Sequence, residues 1–455
     1  MGLLQRTTRG LASKHVKEGT RWCLEPGAGS LPCMDQKDVF AVALGLMGTP
    51  WKVVDVRFDK ELKRLNIDLD FPPGSRFTHP ETGELLSVYD TEPRSWRHLN
   101  FFQFECYVHA HVPRVGGGPG GASVRRVAVP WAKPQSGFTL LMESMILLLA
   151  QSGMSVAEAA RVIGEYPQRL WNVVHAHVKE AYEKMDMSSV KVMSVDEVCR
   201  AKGQNYLTIF SEPKTGAHPS RVLLVVEGRD SSTLGLFADE LCRRGLKREQ
   251  IQTVCSDMSP AYIKGIGEQF PGAQLVFDYF HVVQLVSQAL DEVRRRERHD
   301  FPQELKGVRW AMLKGEDKLS DEERAMRSRV CAGKTQTGKA FNHLDALRQI
   351  MKEPQAAVAE KDLRWWCGWV ARSKIPEMKR AARTIRKHWD GIVAYLKTRV
   401  TNGAAEALNG IIQTVKRKSR GFRTVEYFKA MIYLVASHLK FDLPDPVPST
   451  HTKSY

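Results

Sequence analysis

Lys191-Val-Met-Ser-Val-Asp196 is a short apolar, β-branched run that ends on a carboxylate, and Ile251-Gln-Thr-Val-Cys-Ser-Asp257 repeats the pattern further along. Each reads as a buried strand with an acid at its end. Two more strands are predicted over Tyr206–Phe210 and Arg221–Glu227 and a last one over Ala273–Asp278, with helices over Ser232–Arg244 and Pro260–Phe270. Three strands followed by helix, strand, helix and strand predict an α/β unit whose first and fourth strands lie side by side and parallel. Asp196 and Asp257 then project at neighbouring strand ends, where open α/β sheets place their ligands.

A third acid lies far downstream in Asn402-Gly-Ala-Ala-Glu406-Ala-Leu-Asn409. At helical phase Asn402, Glu406, Asn409 and Gln413 share one stripe, and Leu408, Ile411, Ile412 and Val415 fall nearly opposite. A solvent stripe normally mixes Lys with Glu, whereas this one sets three amides around one acid. Taken singly, Asp196 reads as a turn residue beside a better ligand, Glu197, Asp257 as a cap for the following helix, and Glu406 as an ordinary helix acid. Taken together, two Asp at strand ends and a Glu on a covering helix match the cage of ribonuclease-H-like nucleases. An oxygen-only set of this kind suits two Mg²⁺ (or Mn²⁺) ions about 3.5–4 Å apart that act on a phosphodiester. Asp196, Asp257 and Glu406 are therefore the expected catalytic and metal-binding residues. Lys416, Arg417 and Arg420, just beyond Glu406, are expected to contact phosphates.

With 67 Lys and Arg against 51 Asp and Glu, the 455-residue chain carries a net charge of +16. That excess favours a polyanionic partner. No stretch approaches the roughly 20 apolar residues of a membrane span; Phe138 to Ala150 is too short and holds Glu143. The basic Gln5-Arg-Thr-Thr-Arg9 is not followed by an apolar signal core. Nucleic acid is the better partner, and a cytoplasmic location is expected. The eight cysteines are scattered without a C-x-x-C pair, which argues against disulfides and a cysteine zinc site.

Residues 1–38 are expected to be a disordered leader, or an artefact of the start codon, since Met34 opens a more protein-like sequence. Residues 39–133 alternate as strands do, in Leu65–Phe71 and Phe104–Val112, and predict a small β-rich head. His109 and His111 share one strand face there, read as half-exposed rather than metal-binding. Residues 134–187 predict a helix-turn-helix. Ser155 and Glu158 form a capping box, Gly164 stops the first helix and Pro167 opens the second. Gln168, Arg169 and Asn172 would read DNA, unless the pair is a plain helical hairpin. Residues 188–285 form the first part of the core, 286–395 an all-helical insertion rich in Arg and Trp, 396–440 the helix of Glu406 and the end of the core, and 441–455 a tail.

These residues resemble a known group, the DDE transposases of bacterial insertion sequences, specifically the ISL-three family. The resemblance runs from about residue 60 to 435. It is carried by Val195-Asp-Glu197 with Lys202-Gly203 and Tyr206, Asp257-Met-Ser-Pro-Ala-Tyr262, Phe277-Asp-Tyr-Phe-His-Val282 with Asp291-Glu-Val-Arg294, and Asn402 with Glu406, Asn409, Lys416 and Arg420-Gly421. It implies the Asp196, Asp257, Glu406 triad, and that Asp278 and His281 support the site. The residue-level reading leaves Asp278 as a helix cap and His281 as a hydrogen-bonded group beneath the sheet. It also implies a zinc-ribbon-like head. Here the ribbon positions read His79-Pro-Glu-Thr-Gly83 and Pro113-Arg-Val-Gly-Gly-Gly-Pro-Gly-Gly121 without thiolates, so zinc is not expected and DNA contact in the head would rest on Arg94, Arg97, Arg114, Arg125 and Arg126. The implied activity is binding of terminal inverted repeats in double-stranded DNA, metal-dependent strand cleavage and strand transfer, by a homodimer or larger assembly. The competing expectations are an inactive DNA-binding regulator and a ribonuclease-H-like nuclease without strand transfer.

Overall fold

The computed structural model describes residues 35–116, 123–201, 205–216 and 219–447, in two compact units, Met1–Thr139 and Leu140–Tyr455. Most of the predicted leader, Lys202-Gly203, the run Gly117–Gly121 and the end of the tail lie outside the described residues.

In the first unit, α1 (Gln36–Ala43) precedes β1 (Lys52–Asp59), β2 (Arg64–Asp70), β3 (Arg76–Thr78), β4 (Leu85–Phe101), β5 (Phe104–Val115) and β6 (Arg125–Arg126). Helix α1 therefore already holds residues 36–38, which the predicted leader included. Asp35 takes extended geometry before α1, and the Asp38 carboxylate accepts its amide at 3.1 Å. The strands form one six-stranded sheet in the order β1-β2-β5-β4-β3, with β6 on β5 and β2 parallel to β5. This is a wider sheet than the expected ribbon, with its own core of Trp51, Ile67, Trp96, Val108 and Trp131. His79, in one of the two ribbon positions, is 1% exposed. Its Nδ1 accepts the amides of Glu81 and Thr82, and Nε2 donates to the Ser123 carbonyl at 2.8 Å. One imidazole thus ties the turn to a distant segment of chain.

The second unit opens with α2 (Leu140–Gln151), α3 (Val156–Ile163) and α4 (Pro167–Glu183). Ser155 caps α3 with the Glu158 capping box, and Gly164 ends it at φ 82°, a left-handed conformation that disfavours any residue with a Cβ. Next come β7 (Val192–Ala201), β8 (Asn205–Glu212), β9 (Arg221–Glu227), α5 (Ser232–Arg243), β10 (Thr253–Ser256), α6 (Pro260–Gln269) and β11 (Gln274–Phe277). The sheet order is β11-β10-β7-β8-β9, with β7, β10 and β11 parallel and β7, β8 and β9 antiparallel. The predicted strand ending at Asp196 runs on to Ala201. The short β10 pairs with β7 only as far as Ser194, while β8 stays paired on to Ala201 across an irregularity between Cys199 and Ala201.

Seven helices follow, α7 (Tyr279–Glu297), α8 (Arg309–Leu313), α9 (Asp321–Ala332), α10 (Gln336–Lys352), α11 (Ala356–Arg372), α12 (Pro376–Lys387) and α13 (Trp389–Thr398). They share one apolar cluster with the sheet edge, from Cys255, Val276 and Phe277 to Trp366, Met378 and Ile392. A Cβ on Gly391 of α13 would collide with the Phe277 ring, so that contact needs glycine. Finally α14 (Gly403–Lys418) and α15 (Val425–Ala436) cover β7 to β9, burying Leu408, Ile412, Phe428 and Ile432 on Val198, Leu207, Ile209 and Val225.

Candidate active site and DNA interface

The parallel register aligns three aspartates. Cys255 pairs with Ser194 on one side and with Val276 on the other. Two residues further along each chain stand Asp196, Asp257 and Asp278, a row across the carboxyl ends of the paired segments. Asp278 holds that register, its amide donating to the Ser256 carbonyl at 3.2 Å.

Each carboxylate has a distinct environment. Asp196 Oδ1 accepts the Glu197 amide at 2.8 Å, and Oδ2 accepts Asn409 Nδ2 at 2.7 Å. Burial pushes its carboxyl up to about 6; the Glu197 amide and His281 oppose this, and the Asp257 and Glu197 carboxylates add to it. Asp257 Oδ1 accepts the Ser259 amide at 2.9 Å, a turn just ahead of α6; Ser259 and not Asp257 stands at the N-cap, so the helix-cap reading of Asp257 is replaced by this turn bond. Asp278 is 1% exposed and precedes α7 without a side-chain cap bond. Its Oδ1 instead accepts the Asn402 amide at 3.1 Å, and its Oδ2 is buried without a partner among the described residues. The helix-cap reading of Asp278 is thereby corrected, because the α14 terminus claims the carboxylate.

The helix of Glu406 is tied to this row at two points. Asn402 precedes α14, is 0% exposed and meets Asp278; Asn409, two turns later, meets Asp196. Glu406 lies on the same stripe between them but is exposed. Its carboxyl is pushed up by partial burial, then by Asp278, with His281 opposing. His281, half-buried in the first turn of α7, thus acts electrostatically on both Asp196 and Glu406. The opposite face of α14 buries Leu408, Ile412 and Val415, but Ile411 is 45% exposed, a correction to the predicted apolar face.

Among the described residues, no group of three or more His, Cys, Asp or Glu side chains closes into a metal-holding cluster. The donor chemistry nonetheless fits a hard divalent cation. The row supplies only oxygens, burial and the Asp257 and Glu197 carboxylates disfavour the charged form of Asp196, and among the described residues Asp278 Oδ2, Asn409 Oδ1 and both side-chain polar atoms of Asn402 are buried without partners.

The predicted DNA contacts divide. Gln168 and Asn172 are exposed at the start of α4 and bonded to each other at 3.2 Å, while Tyr427 of α15 donates to Gln168 at 3.0 Å. Arg169 is paired with Glu165 at 2.6 Å. Arg417 and Arg420 are exposed beyond Glu406, but Lys416 donates to the Cys199 carbonyl at 2.6 Å, which pins α14 to β7. In the head, Arg114 pairs with Asp90 and Glu92, Arg125 with Glu81 and Arg126 with Glu92. Arg97 is 1% exposed and bonds the His98 and Cys106 carbonyls, so it is structural, contrary to expectation. His109 bonds Ser95 and Asn66. Sequence reasoning missed the stacking of Trp171 on Tyr427 at 4.2 Å, which docks α4 on α15; no local pattern marks Tyr427 as its partner.

Residues 193–432, more than half the chain, match the ISL3 family of DDE type described as transposase. The chain belongs to the ISL3 family of transposases. Residues 127–178 of the transposase match the helix-turn-helix domain of transposase family ISL3, which takes in α2, α3 and most of α4. It is 26% identical over 398 residues to the transposase for insertion sequence element IS1557 of Mycobacterium tuberculosis, covering 80% of this chain and 86% of that protein. It is also 24% identical over 354 residues to the transposase for insertion sequence element IS1001 of Bordetella parapertussis, covering 75% and 84%. No helix among the described residues is long and apolar enough to cross a membrane.

Proposed function

We propose that this transposase binds the terminal inverted repeats of an insertion sequence, cleaves DNA at the element ends and transfers the freed 3′-hydroxyls to target DNA. The carrying observation is the in-register row of Asp196, Asp257 and Asp278, with the Glu406 helix tied to it through Asn402 and Asn409. The strand order supports reading this sheet as a ribonuclease-H-like core, with α7 to α13 as its insertion and the helices of residues 134–187 and the head as DNA-binding parts.

Asp196 and Asp257, joined by Glu406, would hold two Mg²⁺ or Mn²⁺ ions. Such ions, when bound, activate the attacking hydroxyl and stabilise the leaving oxygen. Asn409 fixes the Asp196 carboxylate by holding one of its oxygens. Asp278 anchors the first turn of α14 and so sets where Glu406 enters the site. Gln168 and Asn172 would read base edges, Arg169 and Arg114 would join them only on release from their carboxylates, and Arg417 and Arg420 would hold phosphates. Joining two element ends in one complex calls for a homodimer or larger assembly, and the net charge of +16 suits work on DNA in the cytoplasm.

The test is incubation of end-containing duplex with Mg²⁺ and a target plasmid. Wild type should yield cleaved ends and joined products, and Asp257→Ala neither, with end binding retained. Cleavage without joined product would indicate a nuclease. Equal inertness of wild type and Asp257→Ala would indicate a DNA-binding regulator.

A further inference from the structure

The α12 helix carries Lys379, Arg380, Arg383, Arg386 and Lys387 against a single acid, Glu377. At 100° per residue the five cations fall within an arc of about 120°. Met378, Ala381, Ala382 and Ile385 fill the opposite face and are buried in the insertion core. All five cations are exposed. Glu377 is 8% exposed and engaged by Arg296 of α7 at 2.8 Å, so it does not neutralise the ridge. Arg380 pairs with Glu292; the described ion pairs include no acid on Lys379, Arg383, Arg386 or Lys387. Beside the ridge lies a cleft of about 500 Å³ lined by Ala371, Pro376, Lys379, Arg383 and Arg386.

The direction of the ridge gives it meaning. The pairs Glu377 with Arg296 and Arg380 with Glu292 show that α12 runs antiparallel to α7. The α7 helix begins beside Asp278, so Glu292 stands about 21 Å from the aspartate row along its axis. The other end of α12 returns to that row. His388, next after Lys387, packs on Phe277 with ring centroids 5.2 Å apart, and Phe277 directly precedes Asp278. The Gly391 contact with Phe277 fixes this end to β11.

We propose that the α12 ridge is a phosphate track for double-stranded DNA leading to or from the aspartate row, gripping the backbone without reading sequence. Lys379, Arg383 and Arg386 follow one another at about a turn, with Lys387 beside Arg386, and this row of exposed cations without acid partners among the described ion pairs suits a polyanion of regular charge spacing. An acidic protein segment would be met more economically by a few fixed pairs of the Arg380–Glu292 kind. The inference rests on the proposed location of the active site, but its test reads binding and is independent of cleavage.

Labelled random-sequence duplex is titrated by fluorescence anisotropy over a salt series with the full-length protein. The double variant Lys379→Gln, Arg383→Gln should weaken binding several-fold at low salt and reduce the slope of log K against log[salt] by about 1–2. The control pair Lys339→Gln, Lys352→Gln on α10 removes the same charge elsewhere and should leave the slope unchanged. The charge-conserving pair Lys379→Arg, Arg383→Lys should bind as wild type, and an unchanged melting temperature of the Gln pair excludes a folding defect as the cause. An unchanged slope in the α12 variant, or an equal change in the α10 control, overturns the track. Altered self-association with unchanged DNA binding overturns it in favour of a second copy of the chain.

Discussion

Asp196 sits at the point where β10 stops pairing with β7, so its carboxylate is half-buried, bonded to Asn409 and faced by Asp257. An acid raised from 3.8 to about 6 binds its proton more tightly folded than unfolded. Stability is therefore lost as pH rises from about 4 to about 6, and above that window the cost is about 3 kcal/mol. Asp196→Asn should then raise the melting temperature of metal-free protein at pH 7.5, with the gain vanishing near pH 4. Added Mg²⁺ should stabilise wild type and leave the variant unmoved. Thermal unfolding in EDTA and in Mg²⁺ at the two pH values checks both; a variant that gains nothing at pH 7.5 contradicts the electrostatic account. At Asp278, Asn should keep the bond to the Asn402 amide and Ala should lose it, so cleavage should fall further in Asp278→Ala, with end binding intact in both.

At the scale of elements, α3 and α4 are held by different means. The α3 helix depends on local chemistry, so Ser155→Ala should cost about 1 kcal/mol by chemical denaturation through loss of its cap. The α4 helix depends on α15, through Trp171 on Tyr427 and Tyr427 on Gln168. Tyr427→Phe keeps the stack and removes the hydrogen bond. It should leave stability within about 1 kcal/mol while altering discrimination between end-containing and random DNA in a competition assay, because Gln168 and Asn172 are re-oriented together. Gly391→Ala should be more damaging, since the Phe277 ring has no room for a methyl group and α13 would be pushed off β11.

On the scale of the whole molecule, the two units have separate apolar cores, and the aspartate row belongs to the second. Ile67→Ala, at a 0% exposed position of the head, should lower the stability of that unit by about 2–5 kcal/mol. It should not change the Mg²⁺-dependent stabilisation of the other unit, a separation that differential scanning calorimetry can resolve. The positive charge is unevenly engaged as well. Arginines of the head are largely paired with acids of the same unit, whereas Arg383 and Arg386 of α12 and Arg417 at the end of α14 have no acid among the described ion pairs. The salt dependence of DNA binding should therefore respond to the second unit more than to Arg114 or Arg126.

Much of the architecture was legible because it rests on local pattern. Apolar runs marked β7 to β11, Ser155, Glu158 and Gly164 bounded α3, and helical phase put Asn402, Glu406 and Asn409 on one stripe. The tertiary structure alone decided what pairing and burial decide. The register of β7, β10 and β11 brought Asp278 into line with Asp196 and Asp257, and β8 carried β7 beyond Asp196. Neighbouring acids and carbonyls claimed Arg97, Arg114, Arg169 and Lys416, side chains whose sequence showed only their charge. A sequence states which groups a chain carries, and periodicity states which face they share. Whether a cation is spent on a nearby carboxylate or left for DNA depends on strands and helices brought together from distant parts of the chain.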